Sequence, residues 1–141
     1  MACFWHFSNE RKLGALNAKR KVDTVISSLN ANVSGVKAFQ QKFNVTSNNI
    51  ANVNTDEFKK QRALLHEDDS GGIRVEVDKV DTPGYPKETV VGGKVIQSET
   101  SNVDLAEEMT ETIPTQAGYD ANLKAIQTED EMMGTLLDVV G

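Results

Sequence analysis

The sequence predicts a mainly α-helical chain whose N- and C-terminal helices pair as a coiled-coil-like α-hairpin, with a short β-rich segment between them. Three observations lead to this prediction. Apolar residues recur every seven positions near both ends, they alternate with charged residues over 73–78, and turn-forming glycines and prolines flank that alternation. A chain of 141 residues with 38% apolar and 6% aromatic content favours long helices that each bury one stripe.

Residues 1–21 are predicted to be a basic, mobile N-terminal extension. They contain five Lys or Arg residues and one acid, whereas the whole chain has a net charge of −6. Such a segment could touch an acidic partner or a membrane surface, but chain ends are more often mobile and solvated. The apolar run 2–7 is short and precedes the basic residues, so we expect no secretory signal peptide. The net negative charge argues against general nucleic-acid binding.

The clearest local prediction is a helix over about 22–50, within an N-terminal unit 22–60. Its apolar residues form one row at intervals of seven and a second row offset by four, as in a coiled-coil seam. The first row is Val22, Leu29, Val36, Phe43 and Ile50, and the second contains Ile26 and Val33. These residues are therefore candidates for helix or subunit packing.

An asparagine-rich segment marks the end of this helix. Asparagine disfavours helix interiors and tolerates left-handed turns, so the cluster Asn48, Asn49, Asn52 and Asn54 predicts a defined helix exit. Phe58 follows as an apolar anchor. Asn44, Asn48 and Asn52 share one helical face, and two roles remain open for them: capping and turn bonding, or hydrogen bonds between subunits that fix the register.

Residues 61–100 are predicted to form a short β-hairpin region. The alternation over 73–78 indicates a half-solvated strand, and Gly92-Gly93 between apolar pairs indicates a tight hairpin. Two or three such strands cannot hold a core alone, so we expect them to lean on the helices or on neighbouring chains.

A second helix is predicted within 101–141. Asp104 followed by Glu107 indicates a capping box at its start, and Pro114 predicts a kink or break near 110–114. Its packing candidates again follow a seven-residue row and a row four residues later: Leu105, Tyr119, Ile126 and Met133, then Met109, Leu123 and Leu137.

Two stretches of the chain resemble the flagellar basal-body rod and hook protein family. The first follows the pattern NNIANxNTxGFK, although Asp56-Glu57 stand where the family usually has a glycine before the phenylalanine. Its matching residues are Asn48, Asn49, Ile50, Ala51, Asn52, Asn54, Thr55 and Phe58. The second runs from Ser101-Asn102-Val103-Asp104 to Gly134-Thr135-Leu136-Leu137-Asp138, with departures at Pro114 and at Ala117-Gly118.

The resemblance implies a structural subunit of the bacterial flagellar basal-body rod that self-assembles helically through its terminal helices. It also implies partnership with other copies, with other flagellar axial proteins and with the type III export apparatus, and a place in the periplasm-spanning rod without a cleaved signal peptide. The short length resembles the small proximal-rod type. A small helical adaptor or chaperone-like module, which packs on a partner helix without polymerising, remains the alternative.

No enzyme, cofactor, metal or small-molecule site is expected from the residues. His66-Glu67-Asp68-Asp69 offers metal-binding side chains, but adjacent residues rarely converge on one ion, so a solvated acidic loop is the preferred interpretation. A single cysteine, Cys3, excludes a disulfide within the chain and a multi-cysteine zinc site.

Overall fold

Two long antiparallel helices and two small β-hairpins make up the fold. The computed structural model describes the backbone of residues 2–69 and 71–140, and the side chains of residues 19, 20, 23–69, 71–135, 137 and 138. In chain order the elements are α1 (Ala2–Ala51), β1 (Gln61–Glu67), β2 (Ile73–Lys79), β3 (Pro86–Val91), β4 (Lys94–Glu99) and α2 (Leu105–Val140). The predicted fold class is confirmed.

Helix α1 is longer than the sequence predicted. It begins at Ala2, whereas the heptad pattern placed its start near 22. The added segment contains no proline and is rich in alanine, leucine, lysine and arginine, which favour helix without an apolar periodicity. The segment 1–21 is therefore helical from Ala2 onward, and its mobility stays a prediction.

The first hairpin was not predicted as such, because only its second strand shows clear alternation. β1 pairs antiparallel with β2, and one face of the hairpin holds Ala63, Leu65, Ile73 and Val75, the more buried side chains. The hairpin packs against α1, where the Ile73 amide donates to Ser34 Oγ at 2.9 Å. Packing against α1 buries one face of the hairpin, which two strands could not bury on their own.

The second hairpin is the one that Gly92-Gly93 predicted. β3 pairs antiparallel with β4 through a two-residue turn in which both glycines have positive φ, 60° and 81°, as a type I′ turn requires. At its base the Glu57 amide donates to the Glu99 carbonyl at 2.9 Å. Glu57 itself has φ 62°, so the family's usual glycine position keeps its left-handed backbone here without a glycine.

Helix α2 starts after the predicted cap Asp104, whereas the Glu107 carboxylate, the other half of the predicted capping box, binds Lys60 and Arg62. Asp104 Oδ1 accepts hydrogen bonds from the amides of Ala106 and Glu107, at 2.9 and 3.3 Å. The helix continues through Pro114, so the predicted alternative of a break is wrong, while a kink stays a prediction. Because Pro114 and Thr110 are exposed, water can reach the Thr110 carbonyl that has lost its amide partner.

Two glycines bring the helices close together. A Cβ on Gly118 would lie 2.4 Å from Phe39 Cζ, and one on Gly35 would lie 2.6 Å from Asn122 Oδ1. Glycine at these positions therefore makes room for a ring and an amide of the opposite helix. Gly134, also in α2, has nothing within 4 Å of such a Cβ.

Gly118→Ala is expected to lower the free energy of unfolding although alanine favours helix. Crowding a packed contact costs about 1–3 kcal/mol, which exceeds the gain of up to about 1 kcal/mol from helix propensity. Gly134→Ala is the matched control and should raise stability by up to about 1 kcal/mol. Urea unfolding followed by circular dichroism at one protein concentration measures both changes, and equal gains from the two substitutions would contradict the close contact.

Candidate subunit interface

The centre of the contact between α1 and α2 consists of small and polar side chains. In α2, the buried residues Glu108, Thr115 and Glu129 are spaced by seven and by fourteen, so they share one face. The buried residues of α1 among the described side chains are Gly35, Ala38, Val45, Thr46 and Asn49. Near the far end of the contact, Asn32 Nδ2 donates to Glu129 Oε1 at 2.9 Å. Hydrogen bonds and close backbone approach thus specify the pair.

The predicted apolar rows flank this polar centre. No row residue with a described side chain is buried; the side chain of Val22 lies outside the described residues. Phe43 is 47% exposed and Leu137 is 70% exposed. Half-buried members are Leu29, Val36, Ile50, Tyr119, Ile126 and Met133, and exposed members are Ile26, Val33, Phe43, Leu105, Met109, Leu123 and Leu137. The rows therefore leave apolar surface on the outside of the helix pair.

A groove lies between the two helices at mid-length. Its volume is about 420 Å³. It is lined by aromatic rings from both helices, by the buried Thr115 and by exposed polar side chains, namely Phe39, Gln40, Phe43, Asn44, Thr115, Gln116, Tyr119 and Asp120. The groove thus includes two predicted row residues, one from each helix.

Asn49 joins three elements of the fold through one buried amide. Its side chain is 1% exposed. Nδ2 donates to the Gln61 carbonyl at 2.7 Å and to Glu108 Oε1 at 3.1 Å, and Oδ1 accepts from the Gln61 amide at 2.9 Å. The end of α1, the start of β1 and the first turns of α2 are held together at this side chain.

The other signature residues form the exit turn of α1. Asn52 Nδ2 donates to the Asn48 carbonyl at 2.9 Å, and Asn52 Oδ1 accepts from Thr55 Oγ1 at 3.2 Å. Asn52 therefore has the capping role. The side chains of Asn44, Asn48, Ala51 and Asn54 are exposed, while Ile50 and Phe58 are half-buried.

Asn102 is a second side chain that links separate segments through hydrogen bonds. From the sequence it was identified only as part of the second family motif, and no structural role was assigned to it. Its Oδ1 accepts from the Lys60 amide at 2.6 Å, and its Nδ2 donates to the carbonyls of Val80 and Thr82 at 2.8 and 2.9 Å. It binds the segments after α1 and after β2 to the start of α2. The signal was available, since a short polar residue just before a helix cap often bonds backbone groups.

Two neighbouring carboxylates at the start of α2 lie in different environments: Glu108 is buried, and Glu107 pairs with Lys60. Burial raises the pKa of the Glu108 carboxyl, while the Asn49 hydrogen bond and the Lys60 charge oppose the rise. For Glu107 the hydrogen bond from Lys60 Nζ, 2.7 Å from Oε2, and the Lys60 charge lower the pKa. The neighbouring carboxyls therefore titrate in opposite directions from their ordinary value.

His66 Nε2 lies 3.5 Å from Glu76 Oε2 across the first hairpin. Among the residues whose side chains the structure describes, no three His, Cys, Asp or Glu are grouped to hold a metal ion. None of the helices within residues 2–69 and 71–140 is long and apolar enough to cross a membrane.

Two family models match the ends of the chain. Residues 29–59 match the model described as flagella basal body rod protein, and residues 97–139 match the model described as flagellar basal body rod FlgEFG protein C-terminal. The matched ranges cover most of the described helix pair, including Asn49, Glu108 and both walls of the groove.

Three curated proteins illustrate the likeness. The flagellar basal-body rod protein FlgC of Borreliella burgdorferi is 28% identical over 82% of this chain and 97% of its own length. The flagellar hook proteins FlgE of Treponema pallidum and of Helicobacter pylori (strain 26695) are 47% and 46% identical over 33% and 29% of this chain. Those matches span only 11% and 6% of the hook proteins' length.

Asn49→Ala is expected to lower the free energy of unfolding by about 2–4 kcal/mol. The substitution removes a hydrogen-bond partner from the buried Glu108 carboxylate and from two part-buried backbone groups of Gln61, and each unsatisfied buried group costs about 1–3 kcal/mol. Asn48→Ala alters an exposed neighbour and should change stability by less than about 0.5 kcal/mol. Urea unfolding of both variants at one protein concentration tests this; similar losses from the two would contradict the bridging role.

Glu108→Gln and Glu107→Gln should change the pH dependence of stability in opposite ways. Because folding raises the pKa of Glu108, its contribution is fully present below the unfolded value near 4.3 and is lost as pH rises through the folded pKa. Wild type should therefore lose stability relative to Glu108→Gln as the pH rises above the unfolded pKa of the carboxyl.

Folding lowers the pKa of Glu107, so its contribution is present above the unfolded value and is lost as pH falls through the folded pKa. Wild type should accordingly lose stability relative to Glu107→Gln on acidification. Unfolding curves at several pH values provide the comparison. Parallel profiles for wild type and Glu108→Gln would show that burial does not govern the Glu108 carboxyl.

Proposed function

The chain belongs to the flagellar basal-body rod protein family, and on that premise we propose that it is a structural subunit of the rod that assembles helically through its terminal helices. Its partners are further copies and other axial proteins of the flagellum. Its place is the periplasm-spanning basal body, which it reaches by way of the flagellar export apparatus without a cleaved signal peptide. No enzymatic role forms part of this proposal.

The apolar surface along the helix pair is the observation that supports assembly. The buried residues of the pair are mainly small or polar, while the large side chains of the apolar rows remain partly exposed on its flanks. Each square ångström of apolar surface buried between chains stabilises the contact by roughly 25 cal/mol. Repeating the contact along a helical array buries the rows of every copy.

The match to the rod protein and the short segment between the two helices support a rod subunit rather than a hook subunit. The chain matches almost the full length of the FlgC rod protein but only small parts of the hook proteins. The segment between the two helices holds just two hairpins, which form a small elaboration beside the helix pair. A small proximal-rod type subunit is therefore the proposed class.

Phe43→Asp should prevent assembly while the soluble chain stays helical. Burying an unpaired carboxylate in an apolar contact is costly, so we expect the critical concentration for assembly to rise at least about tenfold. Gln41→Asp introduces the same charge at an exposed position outside the rows and serves as the control. Electron microscopy of concentrated protein and sedimentation of both variants give the readout, with circular dichroism to verify helix content.

Normal polymers from Phe43→Asp would remove the rows from the proposed interface. A defined low-order complex of the wild-type chain, with no helical array at any concentration, would favour the small helical adaptor instead.

A further inference from the structure

The second hairpin ends in an apolar tip that the described part of the chain leaves uncovered. Val90, Val91, Val95 and Ile96 are 67%, 58%, 62% and 49% exposed. Among the elements described, β3 and β4 pack only on each other, whereas the first hairpin packs on α1. Four neighbouring apolar side chains on one projecting element are typical of an interaction site.

The register divides the tip into two faces of different charge. Val91 lies opposite Lys94, and Ile96 is the next residue of β4 on that face. Val90 and Val95 lie on the other face, next to Glu88 and Gln97. Lys94 forms no ion pair with any residue whose side chain is described. One face of the tip therefore combines apolar side chains with a lysine that pairs with none of the described side chains.

The groove between the helices has the complementary composition. Phe39, Phe43 and Tyr119 contribute its aromatic lining, and the exposed Asp120 also lines it. Asp120 forms no ion pair within the described side chains, although Lys124 lies one turn further along α2. A volume of about 420 Å³ can hold a pair of apolar side chains but not a whole strand pair.

We propose that the tip of the second hairpin docks in this groove of a second copy of the chain. Val91 and Ile96 enter between the aromatic rings, and Lys94 approaches Asp120. The occupant is a second copy because the chain itself carries both the apolar and the charged complement. Tip and groove are different surfaces, so the contact is head-to-tail and propagates from copy to copy. The inference rests on the proposed assembly and adds a second contact to it.

Cross-linking between two differently labelled chains tests the contact. One chain carries Cys3→Ser and Val91→Cys, and the other carries Cys3→Ser and Gln116→Cys. After mixing, a short bis-maleimide should join the two as a heterodimer, resolved by mass spectrometry. Val90→Cys replaces Val91→Cys in the control, because neighbouring strand residues point to opposite faces. Equal yields from the two positions, or no heterodimer from either, would overturn the inference.

Assembly measurements separate this contact from the helix rows. Val91→Ser with Ile96→Ser should raise the critical concentration roughly tenfold, and Val90→Ser with Val95→Ser should change it far less. Lys94→Glu and Asp120→Lys should each weaken assembly, and the two together should restore it. Unchanged assembly of the Val91/Ile96 variant overturns the docking contact and leaves the proposed function standing. A wild-type chain that never assembles overturns both.

Discussion

The fold depends on one buried amide, that of Asn49. Asparagine offers a donor and an acceptor on the same short side chain, and both are used here, on the Gln61 backbone and on Glu108. Aspartate lacks the donor, and leucine lacks both groups. Since a buried polar group without a partner costs about 1–3 kcal/mol, helix α1, strand β1 and helix α2 are held in one relative position.

The polar contact between the two helices determines which side chains remain exposed on the helix pair. Glu108, Thr115 and Glu129 occupy the centre of α2, and bridges such as Asn32–Glu129 fix its register against α1. Directional hydrogen bonds specify alignment well but bury little apolar area. The large apolar residues stay on the flanks. Alignment within the chain, and the attraction between chains that we propose, thus depend on different side chains of the same two helices.

Sequence periodicity predicted the two helices but not their contact. The row Glu108–Thr115–Glu129 has the same seven-residue spacing as the row Leu105–Tyr119–Ile126, and hydrophobicity alone favours the second row as the seam. Local chemistry was more reliable: the Asp104 cap and the Gly92-Gly93 turn depend on nearby atoms only. Strand β1 was missed because its stability comes from α1 and from Asn49, which are distant in sequence.

Departures from the family pattern lie where the second hairpin attaches and where the groove opens. Asp56 pairs with Lys87 at 2.8 Å, and the Glu57 amide holds Glu99, so this pair anchors the base of the hairpin. Gly118 makes room for the Phe39 ring beside the groove. The second hairpin is thus held at its base by these contacts, while the apolar side chains at its tip are exposed. In the assembly that we propose, the residues that differ from the family pattern at the base of the hairpin and beside the groove adapt the chain to its neighbour, while Asn49 holds α1, β1 and α2 together.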